Sequence, residues 1–343
     1  MADRTFRVGV TRDFLKADGS LGFGDINLGL LDADPQIAWE FLAEYTPELR
    51  ADQVRDYDAL LVLTPRVSAA TLADPGRLAV VARFGVGYDT IDVEACTRAG
   101  VLLTITPDGV RRPVAHATLA FIMGLSTMIF QKDRITRAGR WDDRFDYIGM
   151  GLTGRTLGLI GVGNIGREVV DLVRPLGMRH LAYDPYSTPE AAAAAGIELT
   201  DLETVLRTSD IVSIHCPLND ETHSLINAER LALMKPTAYL INTARGPIVD
   251  QRALTATLQA RTIAGAGLDV FEQEPIDPSD PLLTLDNVIL APHALCFTDE
   301  VALGNGGSAC RSILEVAAGR IPQYVVNRAA LEAPRYKKMW SQV

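Results

Sequence analysis

The chain has 343 residues, 48% of them hydrophobic and 22% charged, so it can bury a substantial core, and wholesale disorder and collagen-like repeats are excluded. Its formal net charge is −10, from 33 basic and 43 acidic side chains, which argues against a nucleic-acid-coating surface and leaves open a small anion bound in a local cleft. At roughly 100–200 residues per domain, this length predicts two or three domains. The four cysteines, Cys96, Cys216, Cys296 and Cys310, form no CxxC pair, so neither a disulfide framework nor a zinc site is suggested. The first residues lack the long apolar stretch and small-residue cleavage site of a signal peptide. Together with cysteine usage that suits a reducing compartment, this predicts a cytoplasmic protein.

Short β-rich runs alternate with helical stretches along the whole chain. Candidate strands are 6–10, 59–63, 78–83 and 101–106, followed by 156–160, 180–183, 211–215, 238–242, 263–269 and 288–290. Many are continuous Val/Ile/Leu runs, the pattern of parallel strands covered by helices on both faces. The predicted class is therefore α/β with doubly wound parallel sheets. The glycine-rich stretch 19–29 reads as a surface loop, and the alanine tract 191–195 as ordinary helix. Residues 114–130 carry no Asp, Glu, Lys or Arg, but His116, Thr118, Ser126 and Thr127 interrupt them. They predict a helix buried between domains or subunits rather than a membrane span, with Pro113 in its first turn.

The strongest local signal is Gly161-Val162-Gly163-Asn164-Ile165-Gly166, which follows the strand 156–160 and opens a helical pattern. A second strand then ends at Asp184. Gly161 permits a tight turn, Gly163 lets backbone approach a pyrophosphate, and Gly166 lets helix pack on strand. The helix N-terminus supplies unpaired N–H groups for that pyrophosphate. Pro175 should end the helix shortly before Gly177. Asp184 would accept hydrogen bonds from the adenosine ribose and repel a 2′-phosphate, and no arginine adjoins it, so the expected cofactor is NAD.

Open α/β sheets bind ligands beyond the carboxyl ends of their strands. Those ends here carry His215-Cys216-Pro217, Thr243-Ala244-Arg245-Gly246, Asp269 and Pro292-His293. Reduction of a 2-oxo acid needs a hydride donor, a fixed cation for the carboxylate and a proton donor for the carbonyl oxygen. Arg245 offers a planar fork for the carboxylate, and a histidine gives and takes a proton near neutrality. A neighbouring carboxylate would orient the ring and favour its charged form; spacing alone does not choose between Glu272 and Glu274. Each residue taken singly has a plainer reading: Arg245 as a surface ion-pair partner, His293 as a hydrogen-bonded loop histidine, Glu274 as a solvated side chain.

Three segments follow the glycine motif in order: Asn242-Thr243-Ala244-Arg245-Gly246-Pro247-Ile248-Val249-Asp250, Asp269-Val270-Phe271-Glu272-Gln273-Glu274-Pro275 and Ala291-Pro292-His293. With them the chain resembles the D-isomer-specific 2-hydroxyacid dehydrogenases, a family that includes phosphoglycerate dehydrogenases and glyoxylate/hydroxypyruvate reductases. The resemblance spans roughly residues 80 to 328. It implies that Arg245 binds and polarises the substrate, that His293 is the acid/base, and that Glu274, directly before Pro275, pairs with it. It further implies cofactor contacts from Gly161, Gly163, Asn164, Ile165, Gly166, Asp184, Pro217, Thr222, Ala244, Arg245, Asp269 and His293. Asp269 would approach the nicotinamide amide, with a strand-end cap as the plainer reading. Arg83-Phe84-Gly85-Val86-Gly87-Tyr88-Asp89 is similar to the family's substrate loop, so Val86 and Gly87 are expected, with Arg245 and His293, to bind substrate.

By the same resemblance the substrate domain is discontinuous and flavodoxin-like, residues 1–108 and 298–343, with a Rossmann-type NAD domain, 109–297, inserted and a cleft between. The apolar helix 114–130 would join two NAD domains in a homodimer. Thr90, His116 and Leu295 depart from residues frequent in the family and would alter pocket shape. Arg111-Arg112 reads as a solvated pair or as a cleft contact to an anionic substrate. The expected activity is NAD-dependent, reversible reduction of a small 2-oxo acid to its (R)-2-hydroxy acid, with no metal. The alternatives are an NAD(H)-sensing, corepressor-like interaction protein on the same fold, and oxidation of formate or phosphite.

Overall fold

The computed structural model describes residues 5–336. Residues 1–4 and 337–343, the ends of the expected substrate domain, lie outside the described residues. The chain divides into two compact units, Met1–Pro113 with Phe297–Val343, and Val114–Cys296.

The first unit is built on a five-stranded sheet of β1 (Phe6–Val10), β2 (Ile37–Phe41), β3 (Ala59–Val62), β4 (Val80–Arg83) and β5 (Leu102–Thr104), in the order β2-β1-β3-β4-β5. Every neighbouring pair is parallel. Successive residues of β3 supply opposite faces: Ala59 and Leu61 pack with Val8, Val10, Val80 and Ala82, whereas Leu60 and Val62 pack with Val81 and Leu103. Both faces are therefore buried, which is why these strands read as unbroken apolar runs. The helix Asp299–Ala317 lays Ala302, Ala309, Ile313 and Val316 on the first face.

The second unit carries seven parallel strands: β6 (Thr156–Ile160), β7 (Arg179–Tyr183), β8 (Glu198–Leu199), β9 (Ile211–Ile214), β10 (Tyr239–Asn242), β11 (Gly265–Leu268) and β12 (Val288–Leu290). Their order is β12-β11-β10-β9-β6-β7-β8. The order reverses between β6 and β9, and a crevice for ligand opens at the carboxyl ends of strands where such a reversal occurs. The helix Asn164–Val173 covers one face with Val169, Val170 and Val173 and then tightens through Arg174–Leu176, around Pro175, to a left-handed Gly177.

The two doubly wound parallel sheets are those the sequence predicts, with local differences. β2 and β8 have no counterpart among the expected strands. β2 lies at a sheet edge and alternates buried and exposed residues around Trp39 and Glu40, and β8 is two residues long, so neither offers an apolar run. The stretch 19–29 is not wholly superficial, because Ile26 and Leu28 are buried in the first unit's core.

The long apolar helix starts earlier than expected, at Pro107, runs to Thr127, and has Pro113 in its interior. The added first turn is held by Asp108, which accepts hydrogen bonds from Ser308 Oγ at 2.5 Å and Arg311 Nη2 at 2.8 Å. Gly109 lies against the backbone of Gly304 and Asn305. These tertiary contacts outweigh the hydrogen bond that a mid-helix proline gives up. Met128 adopts a left-handed conformation and ends the helix, and Ile129–Arg137 continues as a separate one. Among the described residues no single helix is long and apolar enough to cross a membrane; these two pass that test only together, across a 59° bend.

Candidate active site

The turn after β6 is shaped by missing side chains. Gly161 has φ +94°, and a Cβ there would sit 2.8 Å from the Cys216 nitrogen. A Cβ on Gly166 would come within 2.5 Å of the Gly161 carbonyl oxygen, so only glycine lets the helix sit this close to the strand end. A Cβ on Gly163, in contrast, would meet nothing within 4 Å. Gly163 is the helix N-cap without a side-chain cap, and among the described residues the amides of Asn164, Ile165 and Gly166 donate to no protein acceptor. Open space above Gly163 with unpaired amides beneath it fits the pyrophosphate of a dinucleotide.

Asp184 lies just beyond β7, half-buried. Its Oδ2 accepts the Val162 amide at 2.8 Å and its Oδ1 the Tyr186 amide at 2.9 Å, so the glycine turn itself fixes this carboxylate. Beyond β9, His215 packs against the glycine turn and its Nε2 lies 2.9 Å from Ser213 Oγ. Burial pushes the His215 imidazole down to about 4, which keeps it neutral at neutral pH. The Thr222 hydroxyl donates to the Pro217 carbonyl at 2.6 Å and accepts the Asn219 amide at 2.8 Å. It therefore ties its own loop together.

β10 ends in Asn242, whose side chain is buried and straps the following turn. Its Nδ2 donates to the Arg245 carbonyl at 2.9 Å, and its Oδ1 accepts the Ala244 amide at 3.0 Å. Arg245 is half-buried and its Nη1 donates to the Ala244 carbonyl at 2.8 Å. Gly246 directly abuts the Phe271 backbone, where no side chain fits, and this contact joins the arginine turn to the segment bearing Glu274.

Glu274 and His293 meet: Nδ1 of the imidazole is 2.7 Å from Oε2 of the carboxylate. Glu274 Oε1 accepts the Phe271 amide at 3.0 Å. Burial alone would raise this carboxyl group, but the His293 hydrogen bond and charge, the Phe271 amide and the Arg245 charge together hold it below the usual carboxylate range. Glu272 points its Oε1 at the Gln251 amide instead, 2.9 Å away. Spacing left two glutamates open; the structure brings Glu274 to the histidine and Glu272 to a helix start. His293 has φ +53°, a left-handed backbone that costs energy in a non-glycine residue. Asp269, 4% exposed, clamps the two residues after His293: its Oδ1 accepts the amides of Ala294 at 2.9 Å and Leu295 at 3.1 Å. Burial drives the Asp269 carboxyl group upward against those two amides.

Sequence reasoning missed the Asn242 strap and the His215–Ser213 pair. The signal for the strap was a polar residue ending a buried strand; for the pair, two polar residues two positions apart on one strand face.

A parallel sheet that reverses beside an open glycine turn is the framework of dinucleotide-dependent oxidoreductases. Residues 119–294 match the family model described as D-isomer specific 2-hydroxyacid dehydrogenase, NAD binding domain. The chain is 39% identical over 298 residues to a glyoxylate reductase of Korarchaeum cryptofilum, covering 86% of this chain and 90% of that one. It is 41% identical over 291 residues to a glyoxylate reductase of Thermofilum pendens, covering 83% and 86%. Its structure is similar to that of D-lactate dehydrogenase from Aquifex aeolicus complexed with NAD and lactic acid (TM-score 0.82, 27% identity, 93% of this chain and 99% of that one). The chain belongs to the D-isomer specific 2-hydroxyacid dehydrogenase family: it is an NAD-dependent oxidoreductase acting on 2-hydroxy acids.

Proposed function

We propose that the protein reversibly reduces a small 2-oxo acid, glyoxylate being the first candidate, with His293 as acid/base, Glu274 as its partner and Arg245 as the substrate's cation. The observation that supports this most is the 2.7 Å pair of His293 and Glu274, on which the Arg245 charge also acts. The glyoxylate reductase names of the relatives at 39% and 41% identity support the choice of substrate.

NADH supplies the hydride when bound. With Nδ1–H donated to Glu274, His293 presents Nε2 as the proton donor to the carbonyl oxygen in reduction, and as the acceptor in the reverse direction. Glu274 stabilises the charged imidazole, and Arg245 pairs with the substrate carboxylate and polarises the carbonyl. The amides of Asn164, Ile165 and Gly166, with Gly161 and Gly163, hold the pyrophosphate. Asp184 takes the adenosine ribose and excludes a 2′-phosphate by charge. Pro217, Thr222, Ala244 and Asp269 line the rest of the dinucleotide track, Asp269 while clamping the His293 turn. Val86 and Gly87 take the substrate carboxylate through their amides. We also propose a homodimer: Ile129, Phe130, Trp141, Phe145 and Ile148 are each more than half exposed along and after the apolar helices, a surface that a second copy would cover.

The deciding experiment follows NADH oxidation by the purified protein with glyoxylate, hydroxypyruvate, pyruvate and bulkier 2-oxo acids, and NAD reduction with formate and phosphite. Turnover of a 2-oxo acid is expected. NADH binding without any turnover would favour an NAD(H)-sensing interaction protein, and turnover of formate or phosphite alone would replace the substrate class.

A further inference from the structure

β4 ends at Arg83, and the chain then turns through Phe84, Gly85, Val86 and Gly87. The carbonyls of this turn are almost all committed. Arg83 Nε donates to the Gly87 carbonyl at 2.9 Å, and the same guanidinium donates to the Phe84 carbonyl. The Gly85 carbonyl accepts the Thr106 amide at 3.0 Å. The Gly85 amide is used as well, by Thr106 Oγ1 at 2.8 Å, and that hydroxyl is held by Asn305 Oδ1 at 2.8 Å. Among the described residues, the amides of Val86 and Gly87 make no hydrogen bond.

A planar trans peptide fixes each N–H opposite its carbonyl. The grip of Thr106 on the Gly85 carbonyl therefore aims the Val86 amide the other way. The Thr106 bond to the Gly85 carbonyl and the Arg83 bond to the Gly87 carbonyl fix the units on either side, so the unit carrying the Gly87 amide is constrained between them. Gly85 completes the arrangement. Its φ is +133°, a backbone that side chains rarely adopt, and a Cβ there would lie in contact with the Arg83 guanidinium, 3.4 Å from Nη1.

We propose that Arg83 is a positioning residue for carboxylate recognition. Its fork takes up the Phe84 and Gly87 carbonyls, leaves the Val86 and Gly87 amides as donors in a held turn, and adds a positive charge to that turn. A loop with most carbonyls satisfied, unpaired amides and a cation behind it is an anion-binding concavity. The carbonyls of Phe84, Gly85 and Gly87 are spent inside the protein, so an anion meets donors with fewer competing oxygens. This inference rests on the reading of the loop as the site for the 2-oxo acid carboxylate, and goes beyond it in assigning a role to Arg83.

The test compares wild type with Arg83→Gln and Arg83→Lys, reading KM and kcat for glyoxylate, inhibition by oxamate as a non-reacting carboxylate probe, and NADH affinity by fluorescence titration. Losing charge-assisted bonds predicts that Arg83→Gln raises KM and the oxamate Ki about tenfold or more. Arg83→Lys, which keeps the charge but cannot fork, falls between that variant and wild type. kcat should change much less than KM, and NADH affinity should not move, since the dinucleotide turn belongs to the other unit. If Arg83→Gln does not fold, Arg83→Lys carries the comparison. A folded variant with wild-type NADH affinity and wild-type oxamate Ki overturns the role of Arg83 while leaving the function intact. A wild-type protein that binds NADH but neither turns over glyoxylate nor is engaged by oxamate overturns the reading of the loop itself.

Discussion

The turns after β6 and after β12 stand at the same carboxyl edge of one parallel sheet, yet they are held in opposite ways. The first is made by absent side chains: Gly161 and Gly166 let backbone approach backbone, and Gly163 leaves space open. The second is made by side chains that oppose a strained conformation: Asp269 grips the amides after His293, and Glu274 grips the ring. A surface that admits a dinucleotide phosphate is built from backbone, whereas a side chain proposed to give a proton has to be aimed. The same contrast separates two histidines of this edge. His215 is half-buried among desolvating neighbours and held neutral, whereas the His293 side chain is 44% exposed and faces a carboxylate.

The largest effect should come from the aimed turn. Replacing His293 by Ala is expected to lower kcat by about 10²–10⁴-fold, the usual scale for a general acid–base group. NADH affinity should be nearly unchanged, which stopped-flow turnover and fluorescence titration can establish on one preparation. A rate within a factor of a few of wild type would remove the imidazole from the chemistry and reduce the contrast between the turns to one of packing.

The histidine comparison can be tested without a substrate. Folded, His215 stays neutral down to about pH 4, whereas in the unfolded chain it takes up a proton near 6.5. Acidification between those values therefore favours the unfolded chain, and the stability is fully present above pH 6.5. The loss by pH 4 is up to about 3 kcal/mol, since each unit is worth about 1.4 kcal/mol. Denaturant unfolding of wild type and His215→Asn across that range should show a shallower pH slope in the variant. Identical slopes would mean that His215 is hydrated and titrates normally.

Within the glycine turn, two substitutions should come apart. Gly161→Val forces a β-branched residue into a left-handed backbone against the Cys216 amide and should cost about 1–3 kcal/mol of stability or more. Gly163→Val, whose side chain enters open space, should leave the melting temperature close to wild type and weaken NADH about tenfold or more by displacing the phosphate from the amides. If Gly163→Val melts early or binds NADH normally, the turn is a packing device and not a cradle.

How much of this was legible in the sequence tracks the same division. Gly161, Gly163 and Gly166 announce themselves because glycine spacing encodes local geometry, and continuous apolar runs such as Leu60, Leu61 and Val62 announce a strand buried on both faces. β2 stayed hidden because an edge strand satisfies half its neighbours and needs no apolar run. The early start of the helix Pro107–Thr127 was illegible because the ties from Asp108 to Ser308 and Arg311 span some 200 residues of sequence. Glu272 and Glu274 differ in nothing local; which one meets His293 depends on how the Phe271 segment packs on Gly246. Asp269 showed its position at a strand end but not its grip on Ala294 and Leu295, a contact that exists only once β11 and β12 lie side by side.

The smallest expected effect is also the most specific to the aimed turn. The Glu274 carboxylate lies 2.7 Å from His293 Nδ1 and fixes which way the ring faces. Although burial pushes the Glu274 carboxyl group up, the His293 bond and charge, with Arg245, hold it low. Glu274→Gln keeps the shape of the pair and exchanges a charged acceptor for a neutral one. The reductive kcat should fall by about tenfold, equivalent to about 1.4 kcal/mol, while NADH affinity stays put. Steady-state rates and fluorescence titration on one preparation check this. A Glu274→Gln rate equal to wild type would leave the carboxylate a purely geometric support.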